Sequence, residues 1–224
     1  RLPRFERRTT VAVVTHPALV VTARIIGGCR LAASEIASRQ EMDVDHFWQI
    51  IDSVNAQSGG DMDRKCELLK EELSSLGPDD LRDFVDHFDF ADATAYSWSL
   101  WGAAYVMHGG CSDDSFSDFR ATLISRGRKV FEQALSDPES LAELDWDARD
   151  VCYEGFQYVK NEVAEDKLGE IPKRKVAFPS DPSGSEWDED VVDQLYPKLA
   201  AKYSGDSDGR VEAPREKKPW WKFW

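Results

Sequence analysis

Asp61-Met62-Asp63-Arg64-Lys65-Cys66-Glu67-Leu68-Leu69-Lys70-Glu71-Glu72-Leu73-Ser74-Ser75-Leu76-Gly77-Pro78-Asp79-Asp80 is the stretch on which the fold turns. Met62, Cys66, Leu69, Leu73 and Leu76 step by 4, 3, 4 and 3, the repeat of one helix face. Asp61 stands where an N-cap belongs, and Gly77-Pro78 stops the pattern. Pro78-Asp79-Asp80 then suits a new helix start, with Pro in the first turn and acids at the positive end of the dipole. The Asp61-Met62-Asp63 run lacks the Gly and distant Glu of a calcium loop, so it reads as capping only.

The same grammar extends in both directions. Upstream, Asp43 caps a helix carrying Val44, Phe47, Trp48, Ile51 and Val54, which Gly59-Gly60 ends. Downstream, Leu81, Phe84, Val85 and Phe88 form a face, and a second helix is expected from Phe90 to Met107 with Trp98, Trp101, Ala104 and Tyr105 inward. After Gly109-Gly110, Ser112 or Asp113 caps a helix with Phe116, Phe119, Leu123 and Ile124, and Val130, Phe131, Ala134 and Leu135 continue beyond Gly127. Asp137-Pro138-Glu139 opens a short helical turn, and a further helix is expected from Asp147 with Cys152, Phe156, Val159 and Val163. Residues 169–187, rich in Pro, Gly and Ser, read as a connector lying over the surface. The last amphipathic piece carries Val192, Leu195, Tyr196 and Leu199, and Pro197 is expected to kink or end it, so that Tyr196 to Tyr203 reads as two pieces. No period-2 run of β-branched residues occurs, so the class is all-α: a single compact multi-helix domain over 42–203 with disordered tails at 1–41 and 204–224.

Charge divides the chain. Of 224 residues, 28 are Lys or Arg and 42 Asp or Glu, a formal charge of −14. Residues 1–41 hold seven Arg, no Lys and three Glu, so they are +4 and the remainder is −18. That shift marks 1–41 as a segment of different origin and Met42 as the expected natural start. A competing reading takes the Arg-rich start and apolar Val11–Ile26 as an export signal, with Ile26-Gly27-Gly28-Cys29 as a loose lipobox. His16, Pro17 and Arg24 interrupt it, and the cytoplasm is the expected compartment. The acidic balance speaks against non-specific nucleic-acid binding, and four cysteines without paired spacing make neither a disulfide framework nor a zinc site. No metal or other cofactor is expected.

Trp101-Gly102-Ala103-Ala104-Tyr105, then Gly109-Gly110-Cys111-Ser112-Asp113-Asp114-Ser115-Phe116 and Phe119-Arg120-Ala121-Thr122-Leu123-Ile124, form a distinctive series. It resembles a bacterial family, frequent in actinobacteria, known as domain of unknown function 4240 (DUF4240). The resemblance runs from Met42 to about Leu199 and leaves out both tails. It implies a compact helical domain, and it brings no activity and no catalytic residue.

The turn His108-Gly109-Gly110-Cys111-Ser112-Asp113-Asp114 is the best site candidate in the sequence, with Trp101 and Arg120 beside it. Glycines permit close backbone approach, and a helix N-terminus can lower a thiol pKa or bind an anion. Cys111 as a nucleophile with His108 as base, or a ligand or metal held by His108, Asp113 and Asp114, are the functional readings. Helix capping is the competing one, since Ser-Asp-Asp is what a first turn selects. Arg120 is expected to pair with Asp113 or Asp114. His46 and His87 read as solvated surface, and the aromatics between Phe84 and Phe119 as core.

The segment Arg215 to Trp224 gathers Trp220, Trp221, Phe223 and Trp224 with Lys217, Lys218 and Lys222. That composition suits an anionic membrane surface or a groove on a partner protein. The function expected is a protein-interaction or regulatory module with an acidic surface, directed at a protein partner of basic character, and with a docking tail. The alternative is an enzyme or small-ligand domain using the turn 108–114. Oligomeric state is not legible.

Overall fold

The computed structural model describes residues 42–203. Helices follow in the order α1 (Val44–Ser58), α2 (Met62–Ser75), α3 (Pro78–Thr94), α4 (Trp98–His108), α5 (Asp113–Ile124), α6 (Arg128–Ser136), α7 (Phe156–Leu168), α8 (Val192–Leu195) and α9 (Pro197–Tyr203). Two 3₁₀ turns, Pro138–Glu143 and Ala148–Asp150, separate α6 from α7. Among the described residues there is no β-strand, only an isolated parallel bridge between Ser97 and Ser183. The domain is all-α. Residues 1–41, with the lipobox reading of Cys29, and residues 204–224, with the aromatic tail, lie outside the described residues.

Local chemistry explains the helix starts. The side chain of Asp43 accepts from the His46 amide at 2.7 Å, Asp61 from Arg64 at 2.7 Å, Ser97 from Leu100 at 3.3 Å and Ser112 from Ser115 at 3.2 Å. Each satisfies an N–H that a helix leaves unpaired at its first turn. Pro78 opens α3, and Pro197 separates α8 from α9 as the sequence suggests.

Two boundaries differ from expectation. No new helix begins at Phe90: α3 runs straight through it to Thr94, since nothing in Phe88-Asp89-Phe90-Ala91 interrupts helical hydrogen bonding. The break falls at 95–97, where Ser183 takes the Trp98 amide at 2.9 Å and gives its own amide to Tyr96 O at 3.0 Å. Nor does a long helix begin at Asp147, which caps a single 3₁₀ turn through the Arg149 amide. The following backbone is committed elsewhere, the Tyr153 amide donating to Thr122 Oγ1 at 3.2 Å, so α7 starts only at Phe156.

The core gathers Phe47, Ile51, Leu69, Leu73, Leu81, Phe84, Leu100, Phe116, Phe119 and Phe156, all essentially inaccessible. Burying each side chain of this kind contributes about 1.5–3 kcal/mol. Through the core runs a row of stacked rings: Trp98 on Trp101 at 5.3 Å, Trp101 on Phe116 at 4.8 Å, Phe116 on Phe119 at 6.0 Å and Phe119 on Trp146 at 5.9 Å. Gly102 allows the chain beyond α7 to close on α4. A Cβ there would stand 2.7 Å from Tyr196 Cε2 and 3.1 Å from Trp187 Nε1. Both rings use the space to donate to α4 carbonyls, Trp187 to Trp98 O and Tyr196 to Ser99 O, each at 2.8 Å. Residues 169–187 thus form a strap across the helices.

Candidate functional site

The turn between α4 and α5 is occupied by structural bonds. Gly109 (φ 69°) caps α4 in the left-handed region and Gly110 follows at φ 119°, conformations that L side chains avoid. His108 Nδ1 lies 2.8 Å from Gly110 O, and the Trp101 indole donates to Cys111 O at 3.0 Å. Ser112 caps α5, while Asp113 and Asp114 stand exposed in its first turn. Cys111 is buried, and its neighbour Cys152 together with burial pushes its thiol pKa far up, the opposite of what an activated thiolate needs. His108, Asp113 and Asp114 do not converge on a metal position. His108, Trp101, Cys111 and Ser112 thus serve packing, backbone bonding or capping, while Asp113 and Asp114 face water.

Arg120 points elsewhere than expected. It pairs with Asp92 on α3, Nε to Oδ1 at 2.9 Å, and not with Asp113 or Asp114. Its guanidinium is nearly inaccessible and lies over the rings of Phe116 at 4.8 Å, Tyr96 at 5.0 Å and Phe178 at 5.3 Å. Asp92 therefore takes the position that the neighbouring acids were expected to fill, because the inward face of α5 looks at α3 and its N-terminal turn looks at water.

That pair belongs to a larger charged row. Asp83, Asp86, Asp89 and Asp92 recur every three residues along α3, and Asp83, Asp89 and Asp92 are buried. Besides Arg120 of α5, cations from two other places answer them. Lys160 of α7 sits 3.0 Å from Asp89 Oδ1. Arg174 of the strap reaches Asp92 Oδ2 at 3.0 Å and Asp89 Oδ2 at 3.6 Å. Lys175 reaches Asp86 at 2.5 Å and Asp83 at 3.6 Å. Charges removed from water are costly unless paired, so these contacts both permit the row and fix the strap upon it.

Two cavities flank the row. The larger, about 490 Å³, is a groove walled by Met42, Val44, Phe90 and Val176 over Asp83, Asp86, Asp89, His87 and Lys175. Phe90 is 62% exposed, Val176 61% and Val44 45%. The smaller, about 100 Å³, lies between α5, α7 and the strap. His87 is not the solvated residue expected: it is half-buried, with Nε2 2.8 Å from Met42 O and its ring 5.8 Å from Phe47. His46 is exposed, as read. Of the aromatics assigned to the core, Phe90 is the exception, being the most exposed wall of the groove.

A buried cation elsewhere is structural. Lys65, fully inaccessible, donates to Ser125 O at 3.1 Å and lies 3.3 Å from Ser125 Oγ. Burial, with Arg126 nearby, pushes its pKa down to about 7. Neither of the two cavities described above is lined by Lys65 or Ser125.

Sequence reasoning missed the α3 row. Its one visible signal was Asp at every third position through a helix that also carries Phe84 and Phe88, a pattern that wraps charge onto the buried side. The partners, 28 to 92 positions away, had no local mark.

The family model for the protein of unknown function DUF4240 matches residues 42–166, so the strap lies beyond the matched region. No curated protein and no solved structure matches the chain. The matched region covers α1 to most of α7, including the buried acids of α3 with Arg120 and Lys160, and by it the chain belongs to the DUF4240 family.

Proposed function

We propose that this domain is an interaction module whose groove receives a cationic, apolar-bearing segment of a partner protein. The observation that carries this is the convergence of Val44, Phe90 and Val176, all well exposed, over a floor with three aspartates. Soluble domains scatter single exposed apolar side chains, but a grouped set beside a cavity supports a binding surface. The balance of the whole domain argues for the charge of the occupant: residues 42–203 hold 16 Lys and Arg against 35 Asp and Glu. Such a field steers basic partners and repels acidic ones. The burial of Cys111 and the bonds that engage His108 and Ser112 favour this reading over an enzyme built on Cys111.

A synthetic amphipathic helix of Lys and Leu is a suitable probe of the groove. It should bind the full chain, and Phe90→Lys should weaken that binding at least tenfold while leaving the thermal midpoint unchanged, because Phe90 is mostly in water. Equal binding by the variant would refute the groove as the site.

The aromatic tail is a second contact in this proposal. Three Lys among Trp220, Trp221, Phe223 and Trp224 favour an anionic lipid surface or a protein groove. Vesicles containing phosphatidylserine should retain the full chain, and replacing the four aromatics by Ala should release it. Undiminished retention would remove the tail from the account.

A further inference from the structure

Residues 170–177 of the strap are held differently from its ends. Between described residues they make no backbone–backbone hydrogen bond, and none of them is buried. Side chains alone attach them: Glu170 to Arg82 at 3.5 Å, and Arg174 and Lys175 to the acids of α3. The last two are well exposed, at 36% and 61%. The ends are firmer, with the Gly169 amide donating to Glu165 O and Phe178 packed on Tyr96 at 4.8 Å. Partly exposed ion pairs are weak, and a segment without buried groups or backbone bonds opens locally at low cost.

Lifting this segment leaves the deep acids paired. Asp89 keeps Lys160 at 3.0 Å, Asp92 keeps Arg120 at 2.9 Å, and Asp83 keeps the Met42 amide at 3.0 Å. Those partners lie within residues 42–166, and the strap's cations lie beyond them. The row also has an acceptor to spare. Asp89 Oδ1 is buried and accepts no hydrogen bond among the described residues, although the Lys160 ammonium is near. A buried acceptor without a donor is unfavourable. Asp89 belongs to the floor of the groove, so a donor brought from outside can answer it once the strap gives room. Lys175-Val176, a cation followed by an apolar side chain on the groove wall, is a short internal copy of the segment proposed to bind there.

We propose that residues 170–177 are a displaceable internal ligand: they cover the α3 acid row, and a basic segment of the partner protein takes the places of Arg174 and Lys175. This inference rests on the groove reading and adds a competitor to it. While the strap is seated the row is closed to the partner, so apparent affinity falls with the fraction of chains in which it is seated.

The test uses the full chain, the Lys–Leu helical peptide, and an arginine-specific protease that has no site in that peptide. Cleavage after Arg174, read by mass spectrometry, should become at least fivefold faster at saturating peptide, because the guanidinium leaves Asp89 and Asp92. Cleavage after Arg149, already 88% exposed, should not change. Arg174→Gln with Lys175→Gln should bind the peptide at least fivefold more tightly than the intact chain, with an unchanged circular dichroism spectrum. Arg64→Gln with Lys70→Gln removes the same charge from exposed pairs on α2 and should leave the affinity as it is. Peptide that binds without speeding cleavage after Arg174 would overturn the displacement and leave the groove reading standing. Tightening that is absent, or equal in the two double variants, would do the same. Binding to none of the chains would overturn both.

Discussion

The turn 108–114 and the acid row of α3 differ in a way that sequence alone inverts. The turn is conspicuous, with two glycines, a cysteine, a histidine and adjacent acids in seven residues, yet the groups the structure fixes there are in capping, packing or backbone bonds. The row looks like ordinary helix surface, yet it sinks three carboxylates into the domain and meets cations from α5, α7 and the strap. A distinctive local motif can record how a chain must turn. Chemistry that needs several elements leaves only faint local traces.

The strongest way to break this contrast is to remove one partner from each region. Arg120→Met should cost about 3–5 kcal/mol in urea unfolding, because Asp92 keeps only the partly exposed Arg174 as a partner. Cys111→Ala should cost about 1–2 kcal/mol, the price of a small buried side chain, and leave peptide binding intact. If the two losses were reversed in order, the turn and not the row would be the critical element.

Next in size is the contact that joins the strap to the family domain. Gly102→Ala sets a methyl against Tyr196 and Trp187 and should destabilise by about 1–3 kcal/mol, with a change in Trp187 fluorescence. An unshifted spectrum and midpoint would show that the strap gives way freely.

Stability against pH separates buried charge that is offset from buried charge that is not. Lys65 is protonated in the unfolded chain up to about its ordinary 10.5 but only to about 7 when folded. The unfolded state thus binds more protons between those values, and Lys65 adds a term that makes stability rise with pH across that window, by up to about 1.4 kcal/mol per unit. Lys65→Met should flatten that part of the profile. Asp118 acts with the other sign: folded, it keeps its proton to about 6, so its term lowers stability as pH rises from 3.8 to 6, and Asp118→Asn removes it. The smallest effect belongs to the turn's exposed acids. Asp113→Ala with Asp114→Ala should cost under about 1 kcal/mol, a helix-dipole contribution that salt screens.

Much of the fold was legible because it rests on local rules. Asp43, Asp61 and Ser112 cap where their spacing from the apolar face says they must, and Pro78 and Pro197 set boundaries by their missing N–H. Where tertiary bonds outweigh local preference, the reading slipped. Ser183 fixes the 95–97 break, and Thr122 holds residue 153 out of a helix that periodicity would have granted. The same limit hid the site. Asp92 and Arg120 were each visible, but proximity of α3 to α5 is a property of the packed domain, and Arg174 reaches them from a connector that reads as mere surface chain.

Binding of the Lys–Leu helical peptide to three versions of the full chain tests the account most directly: the intact protein, Phe90→Lys, and Asp113→Ala with Asp114→Ala. The account predicts that the intact chain and the double variant bind alike and that Phe90→Lys binds at least tenfold more weakly. Loss of binding in the double variant with full binding by Phe90→Lys would place the working surface at the turn and contradict it.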